Sequence, residues 1–392
     1  MHRPGSVPAL WYGRPTRAEI DLEAVAANAR RLQAHVGPDV GLLGVVKADA
    51  YGHGAVPVAR ALVERGGVAG LAVTLLEEGL ELRRAGVSGM ILVMGAVYTH
   101  AHLDVLAHDL TPVISEIHDV EQFARAASVR GERARVHVKV DTGMARLGVR
   151  PEELTQLAAG LAAATPHIEV VGVMTHLSSA DSPESGEAVT AIQLQKFRTA
   201  VDLLAASGIR PRMLHAANSV GAIRFSHGRF DAVRPGLVLY GGGGAWSAGL
   251  DLEAAMRWVS GVVQLRWIER DDAVSYGGHF RAAARTHVAT IPMGYADGYP
   301  RRVNLPGASE PAHVLIRGQR CPVLGTVCMD MIMADVTALG DQVTVGDEVV
   351  LLGAQGGERI SAAELAQRAG LIEYEITCGV SKRVPRVYRK VP

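Results

Sequence analysis

Between Thr16 and about Leu250, short apolar runs of β type alternate with longer amphipathic segments, and this alternation constrains the fold more than any other feature. The strand-like runs cover 41–47, 70–74, 90–95, 110–115, 134–140, 168–174, 212–215 and 236–240. Helical patterns occupy 21–35, 55–66, 76–86, 116–130, 151–164 and 187–207. Asp21 stands as an N-cap before the first, with Leu22, Val25 and Ala26 at helical spacing. Strands that are apolar along their whole length belong in a parallel sheet covered by helices on both faces. Eight such units predict a (β/α)8 TIM-type barrel, with an open doubly wound sheet as the alternative.

After Gly249 the texture changes. Segments 259–268, 286–293, 313–316, 323–336 and 348–353 are β-rich and separated by Gly, Pro and Asp turns. Only 361–370 reads as a helix, opened by Ser361 with Glu364 in capping-box spacing. The boundary falls in Gly241–Gly249, which begins with four consecutive glycines. The expected division is an N-terminal arm (1–15), a barrel (16–249) and a mainly β C-terminal domain (250–392). The arm carries prolines and glycines but no apolar stretch, so it does not read as a signal peptide.

Charge excludes some partners. Forty basic residues balance forty acidic ones, which argues against binding to nucleic acid or to an anionic membrane. No apolar run reaches transmembrane length. Cys321, Cys328 and Cys378 are far apart, which suggests neither a disulfide framework nor a zinc site and suits a reducing cytoplasm.

A barrel of this kind carries its chemistry at the carboxyl ends of its strands. Lys47 ends the first run, and Tyr51-Gly52-His53-Gly54 follows. A partly desolvated amine loses proton affinity and becomes able to form a Schiff base, although a lone lysine there reads more readily as a side chain reaching solvent. Lys139, Asp141 and Arg146 fall at or after the fifth run and His176 after the sixth. His215, Asn218 and Ser219 follow the seventh, and Arg234-Pro235-Gly236 leads into the eighth. Singly these are ordinary loop residues; collected at one barrel end they make a site.

The strings VVKADAYGHG, VKVDTGMARLG, MTHLSSAD, HAANS, VRPGLVLYG, VSYGG, TIPMGYADGYPR, GTVCMDM and CGVSKRVPR resemble, in order, the motifs of the bacterial alanine racemases. The resemblance runs from near Thr16 to the C-terminus. It implies a pyridoxal 5'-phosphate enzyme of fold type III that interconverts L- and D-alanine. Lys47 would carry the cofactor as a Schiff base and then serve as one base. Tyr51, Asn218, Ser219, the backbone at Gly236 and Tyr374 would bind the cofactor, chiefly at its phosphate. Arg234 would face the pyridine nitrogen; a guanidinium donates a hydrogen bond there but hardly a proton, which restrains the cofactor as an electron sink.

Racemisation removes a proton from one face of Cα and returns it to the other, so two bases are needed. The resemblance names Tyr276 as the second, supplied by the partner subunit of a homodimer and tuned through His176 and Arg234. Arg146 would bind near the substrate carboxylate, and Lys139 is a candidate for carbamylation. Tyr295, Met329 and Asp330 would line the substrate entrance, with Tyr295 and Tyr374 keeping the pocket small. A serine or broader-specificity racemase is the close alternative. A fold-related decarboxylase is disfavoured by Arg234, and a non-enzymatic cofactor-binding barrel by the β domain with Tyr276. One departure stands out: many members continue Gly-Val-Ser-Pro after the tyrosine, where this chain has Gly241–Gly244, Ala245 and Trp246.

Overall fold

The computed structural model describes residues 13–97, 101–304 and 310–389, so most of the expected arm lies outside it. The chain divides into two compact units, one spanning Leu22–Glu253 and the other combining the residues up to Asp21 with those from Ala254 onward.

The first unit is a closed parallel barrel. Its strands are Gly41–Val45, Gly70–Val73, Ile91–Val93, Thr111–Ile114, Ala134–Lys139, Ile168–Met174, Met213–His215 and Ala232–Val233. The last closes on the first, with Gly41 opposite Ala232 and Leu42 opposite Val233. The first seven sit at or inside the limits expected from sequence. The eighth does not: 236–240 is a 3-10 turn (Leu237–Tyr240), and the strand is the dipeptide before it. Pro235 has no N–H for a ladder, and Gly236 leaves the extended region at φ −119°, ψ −91°. The apolar residues Val238, Leu239 and Tyr240 are buried all the same, within a turn.

The covering helices include Leu22–Val36, Ala55–Ala61, Leu76–Arg84, Ile117–Arg130, Leu154–Ala163 and Gly186–Ala206. Ile117–Arg130 is representative: Val120, Phe123 and Ala127 are buried at helical spacing, and Gly131 at φ 66° ends it in the left-handed conformation a glycine adopts freely. The glycine-rich connection forms a 3-10 segment, Gly244–Leu250, in which the Trp246 ring lies 4.0 Å beneath the Arg224 guanidinium.

The second unit is a ten-stranded, largely antiparallel sheet. Its order is Gln264–Ile268, Thr286–Ile291, Ile332–Asp335, Gln319–Leu324, His313–Ile316, Glu348–Gln355, Met256–Gly261, Arg17–Ile20 and Arg386–Tyr388, with Glu358–Ile360 off the path beside Glu348–Gln355. The strand Arg17–Ile20, read from sequence with the barrel segment, sits between an antiparallel neighbour, Met256–Gly261, and a parallel one, Arg386–Tyr388. Four residues are too short to reveal their sheet by alternation. The expected helix forms as Ala362–Ala369 with the Ser361 hydroxyl accepting the Glu364 N–H at 3.1 Å, and a further helix, Glu373–Cys378, follows. Among the described residues no helix is long and apolar enough to cross a membrane.

Ile20 is fully buried in the strand Arg17–Ile20, one in from the sheet edge. Ile20→Ala should lower the unfolding free energy by about 2–5 kcal/mol in denaturant titrations. Arg17→Ala, on the half-exposed face, should cost no more than about 1 kcal/mol.

Candidate active site

The first barrel strand ends at Val45, and the chain then enters a left-handed turn, with φ between 51° and 54° at Ala48, Asp49, Ala50 and Tyr51. Each L-residue in this region costs about 1–2 kcal/mol, or roughly 4–8 kcal/mol for the turn. Such strain persists only where the surroundings dictate it. Here Glu78 accepts the Ala48 N–H (2.6 Å) with one carboxylate oxygen and the Thr74 and Leu75 N–H groups (2.8 and 3.0 Å) with the other. Asp49 accepts the Ala55 N–H at 2.7 Å. Tyr240 donates to the Val45 carbonyl at 2.9 Å, and its ring packs on Tyr51 and His53 with centroids 5.1 and 4.5 Å away. Lys47, half-buried, opens this braced turn.

Ser219, Gly236 and Tyr51 converge. The Gly236 N–H donates to the Ser219 hydroxyl at 2.9 Å, which leaves that hydroxyl its own proton to donate. A Cβ on Gly236 would overlap the Tyr51 hydroxyl, so only glycine leaves the phenol its place. Two hydroxyl donors beside a backbone that a side chain would block suit an anion such as phosphate. Asn218 caps the short helix Ser219–Arg224 by accepting the Gly221 N–H (3.0 Å) and donates to Leu177 O (3.3 Å), so its amide holds the Ser219 turn.

Arg234 is 3% exposed. Its Nη1 donates to His215 Nδ1 (2.9 Å) and His215 O (3.0 Å). Its Nη2 donates to Thr175 O (2.7 Å), Ala216 O (3.0 Å) and His176 Nδ1 (3.3 Å). Its Nε–H has no acceptor among the described residues, which fits a ligand acceptor such as a ring nitrogen. A guanidinium only donates, so both facing imidazole nitrogens are bare and each ring carries its proton on Nε2. Burial, then the Arg234 charge, lowers His176 to about 2 and His215 well below its ordinary value. Burial also lowers Arg234 to about 9, still cationic at neutral pH.

Lys139 is 4% exposed, and burial, followed by Arg146 and Arg234, brings it down to about 8 despite Asp141. Arg146 is exposed on the loop after that strand, whose start is pinned by Asp141 accepting the Gly143, Met144 and Ala145 N–H groups. The barrel unit thus brings Lys47, Tyr51, Lys139, Arg146, His176, Asn218, Ser219, Arg234 and Gly236 to the carboxyl ends of its strands.

The second unit holds the other expected residues. Tyr276 is 72% exposed in the turn between Ala273–Val274 and Phe280–Arg281. Its carbonyl accepts the Thr326 hydroxyl at 3.2 Å, and the preceding Ser275 (φ 67°) places its Oγ 3.2 Å from Cys328 Sγ. The Tyr295 N–H donates to Cys328 O and the Ala296 N–H to Met329 O, both at 3.0 Å, so Tyr276, Tyr295 and Met329 share one neighbourhood. Cys328 is half-buried there rather than a core residue. Asp330 is paired with Arg383 at 2.7 Å, and Tyr374 lies on Glu373–Cys378.

Sequence reasoning overlooked Glu78 and Tyr240, which brace the lysine turn, and named His215 without its bond to Arg234. Glu78 looks like any acid in a first helical turn, and nothing in its spacing points to Ala48.

The architecture defines a class: a parallel-barrel enzyme built on a strand-end lysine, with a β domain presenting an exposed tyrosine. The family models described as alanine racemase N-terminal domain and C-terminal domain match residues 20–243 and 255–388. An alanine racemase of Symbiobacterium thermophilum is 46% identical over 379 residues, covering 96% of this chain and 97% of that protein. The alanine racemase structure from D-cycloserine-producing Streptomyces lavendulae aligns with TM-score 0.90 at 34% identity, over 97% of this chain and 99% of that one. The Bartonella henselae alanine racemase, with covalently bound pyridoxal phosphate, aligns with TM-score 0.84 at 28% identity, over 96% and 100%. The chain belongs to the alanine racemase family.

Two outcomes test this geometry. Ala48 is exposed, so Ala48→Gly should relieve strain and stabilise the protein by about 1 kcal/mol in denaturant titrations. Lys139 is depressed from 10.5 to about 8, so the unfolded chain binds its proton more tightly. The penalty is full below pH 8 and fades as pH rises toward 10.5. In carbonate-free buffer Lys139→Met should therefore stabilise the protein by up to roughly 3 kcal/mol below pH 8, with the advantage shrinking toward pH 10.5.

Proposed function

We propose that this protein interconverts L- and D-alanine with pyridoxal 5'-phosphate held by Lys47, working as a homodimer whose active sites are shared between subunits. The observation that carries the reading is Arg234: a buried cation whose Nη groups are committed and whose Nε–H is left for a ring-nitrogen acceptor. Tyr51 and Ser219 would hold the phosphate with their hydroxyls against the close backbone at Gly236, with Asn218 holding their turn and Tyr374 adding a hydroxyl. When bound, the cofactor supplies the aldehyde that joins the substrate amine and the conjugated ring that accepts electron density from Cα. Arg234 would donate a hydrogen bond to the ring nitrogen but hardly a proton, which would limit that electron withdrawal and favour return of a proton to Cα.

The Lys47 amine moves the Cα proton on one face, and the Tyr276 phenol of the second copy moves it on the other. His176, with its proton on Nε2, donates to the phenolate oxygen and steadies the deprotonated base. In this reading Tyr276 comes from a second copy. Consistent with a covered surface, Tyr276, Tyr295, Met329 and Met331 are large side chains 72%, 41%, 50% and 45% exposed on the C-terminal unit. Arg146 binds the substrate carboxylate. Tyr295, Met329 and Asp330 line the entrance, and Tyr295 with Tyr374 excludes longer side chains. At neutral pH a lysine titrating near 8 has a neutral fraction of roughly a tenth. That amine attacks carbon dioxide, forming an N–C bond and releasing a proton, and the resulting carbamate orients Arg146.

Circular dichroism of the pyridoxal-phosphate-loaded protein with L-alanine, L-serine and larger amino acids should show fastest loss of signal with L-alanine; faster turnover of L-serine would reassign the substrate. Lys47→Ala and Tyr276→Phe should each be nearly inactive alone and regain activity after subunit exchange, since one site of each heterodimer then holds both bases. No recovery after demonstrated exchange would overturn the shared site. Intact-mass analysis under native conditions should show added carbon dioxide that is lost in Lys139→Met.

A further inference from the structure

His137 has no part in the chemistry above, yet the barrel is shaped around its ring. It lies within Ala134–Lys139, 1% exposed. Beside it the ladder to Ile168–Met174 slips: Val136 is opposite Val170, but His137 is opposite Gly172. A Cβ on Gly172 would overlap the His137 imidazole. A bulge interrupts the ladder and a strand glycine forfeits packing, so both are costs that an aliphatic residue at 137 would not require.

The ring is tied to the site by a one-way path of hydrogen bonds. Arg234 can only donate, so His215 Nδ1, 2.9 Å away, is an acceptor and the His215 proton is on Nε2. Nε2 lies 2.7 Å from His137 Nδ1, which therefore accepts. The two rings meet edge to face, with centroids 4.9 Å apart. The reverse arrangement would turn an imidazole N–H against a guanidinium N–H, donor against donor. Burial, then Arg234, lowers His137 to about 4, so both rings are neutral at working pH.

The geometry points to His137 as a positioning residue for the racemisation: by accepting the His215 Nε2–H it fixes the His215 tautomer, and so the lone pair on which Arg234 is set. This rests on the reading that Arg234 faces the cofactor ring. Without an acceptor at 137, the buried His215 Nε2–H is an orphan. The ring can then relieve that orphan only by rotating or by moving its proton to Nδ1, against the Arg234 N–H, and either change takes from the guanidinium its His215 Nδ1 acceptor.

The test is histidine-selective 15N labelling with long-range 1H–15N correlation, on cofactor-free and loaded protein, beside steady-state kinetics. In the wild type His215 should carry its proton on Nε2; a proton on Nδ1 would overturn the inference without recourse to any variant. His137→Leu should redistribute the His215 tautomer and lower kcat about tenfold or more, the scale of a buried donor left without its acceptor, with the KM for alanine little changed. His137→Asn, whose Oδ1 stands where Nδ1 does, should restore the tautomer and most of kcat, which a purely space-filling role would not predict. A folded Leu variant with wild-type tautomer or wild-type kcat would overturn the proposal, as would an Asn variant no better than Leu. Failure of the underlying reading looks different: the wild type would then neither take up pyridoxal phosphate nor racemise alanine, while the tautomer in cofactor-free protein still reports on His137.

Discussion

A guanidinium donates hydrogen bonds and accepts none, and the polar interior of the barrel is organised by that restriction at Arg234. Buried almost completely, it needs acceptors in several directions and takes them from Thr175 O, Ala216 O, His215 and His176. An imidazole against it must present a bare nitrogen, so His176 and His215 carry their protons on Nε2, away from the guanidinium. Burial and the positive charge then keep those rings neutral. One buried cation thus aligns hydrogen-bond polarity across the carboxyl ends of the sixth, seventh and eighth strands. The eighth strand is only Ala232–Val233, and it delivers Arg234 immediately past its end, with the Arg234 N–H held by Ala217 O at 2.9 Å.

The other side of the site works by strain. Lys47 leads into a left-handed turn that is unfavourable at each of Ala48, Asp49, Ala50 and Tyr51. Glu78 spans Ala48, Thr74 and Leu75 and thereby ties the first strand's turn to the end of the second strand. Tyr240 reaches back from beyond the eighth strand to Val45. Lys47 and Tyr51, four residues apart, are held by partners that come from other βα units. This explains why the turn can remain in a conformation that its own residues would not choose.

Much of this architecture was legible in the sequence. Continuous apolar strands separated by amphipathic helices gave seven barrel strands near their true limits, because burial on both faces leaves a run with no polar interruption. The eighth was misplaced for the same reason: Leu237–Tyr240 is an apolar run and is buried, but burial does not require extension, and a two-residue strand leaves no pattern. Arg17–Ile20 escaped notice because its pairing partners, Met256–Gly261 and Arg386–Tyr388, are remote from it in the chain. The residue types of the site could be named from strand ends and from the alanine racemase motifs. Asn218 was legible as a site residue but not as the cap that its side chain forms.

The sequence alone determined the alternation that makes a barrel, the change to a β-rich second unit, the lysine at a strand end and the order of motifs that mark the family. These are local properties: periodicity, capping residues and short strings reside in adjacent positions. Only the tertiary structure decided which way the lysine turn winds, which acceptors surround Arg234, which imidazole nitrogens bear protons and which sheet receives the N-terminal strand. Each of these depends on contacts between residues remote in the chain, such as Ala48 with Glu78, Thr175 with Arg234 and His137 with His215. Hydrogen-bond direction and strain are properties of such meetings, and no run of neighbouring residues encodes them.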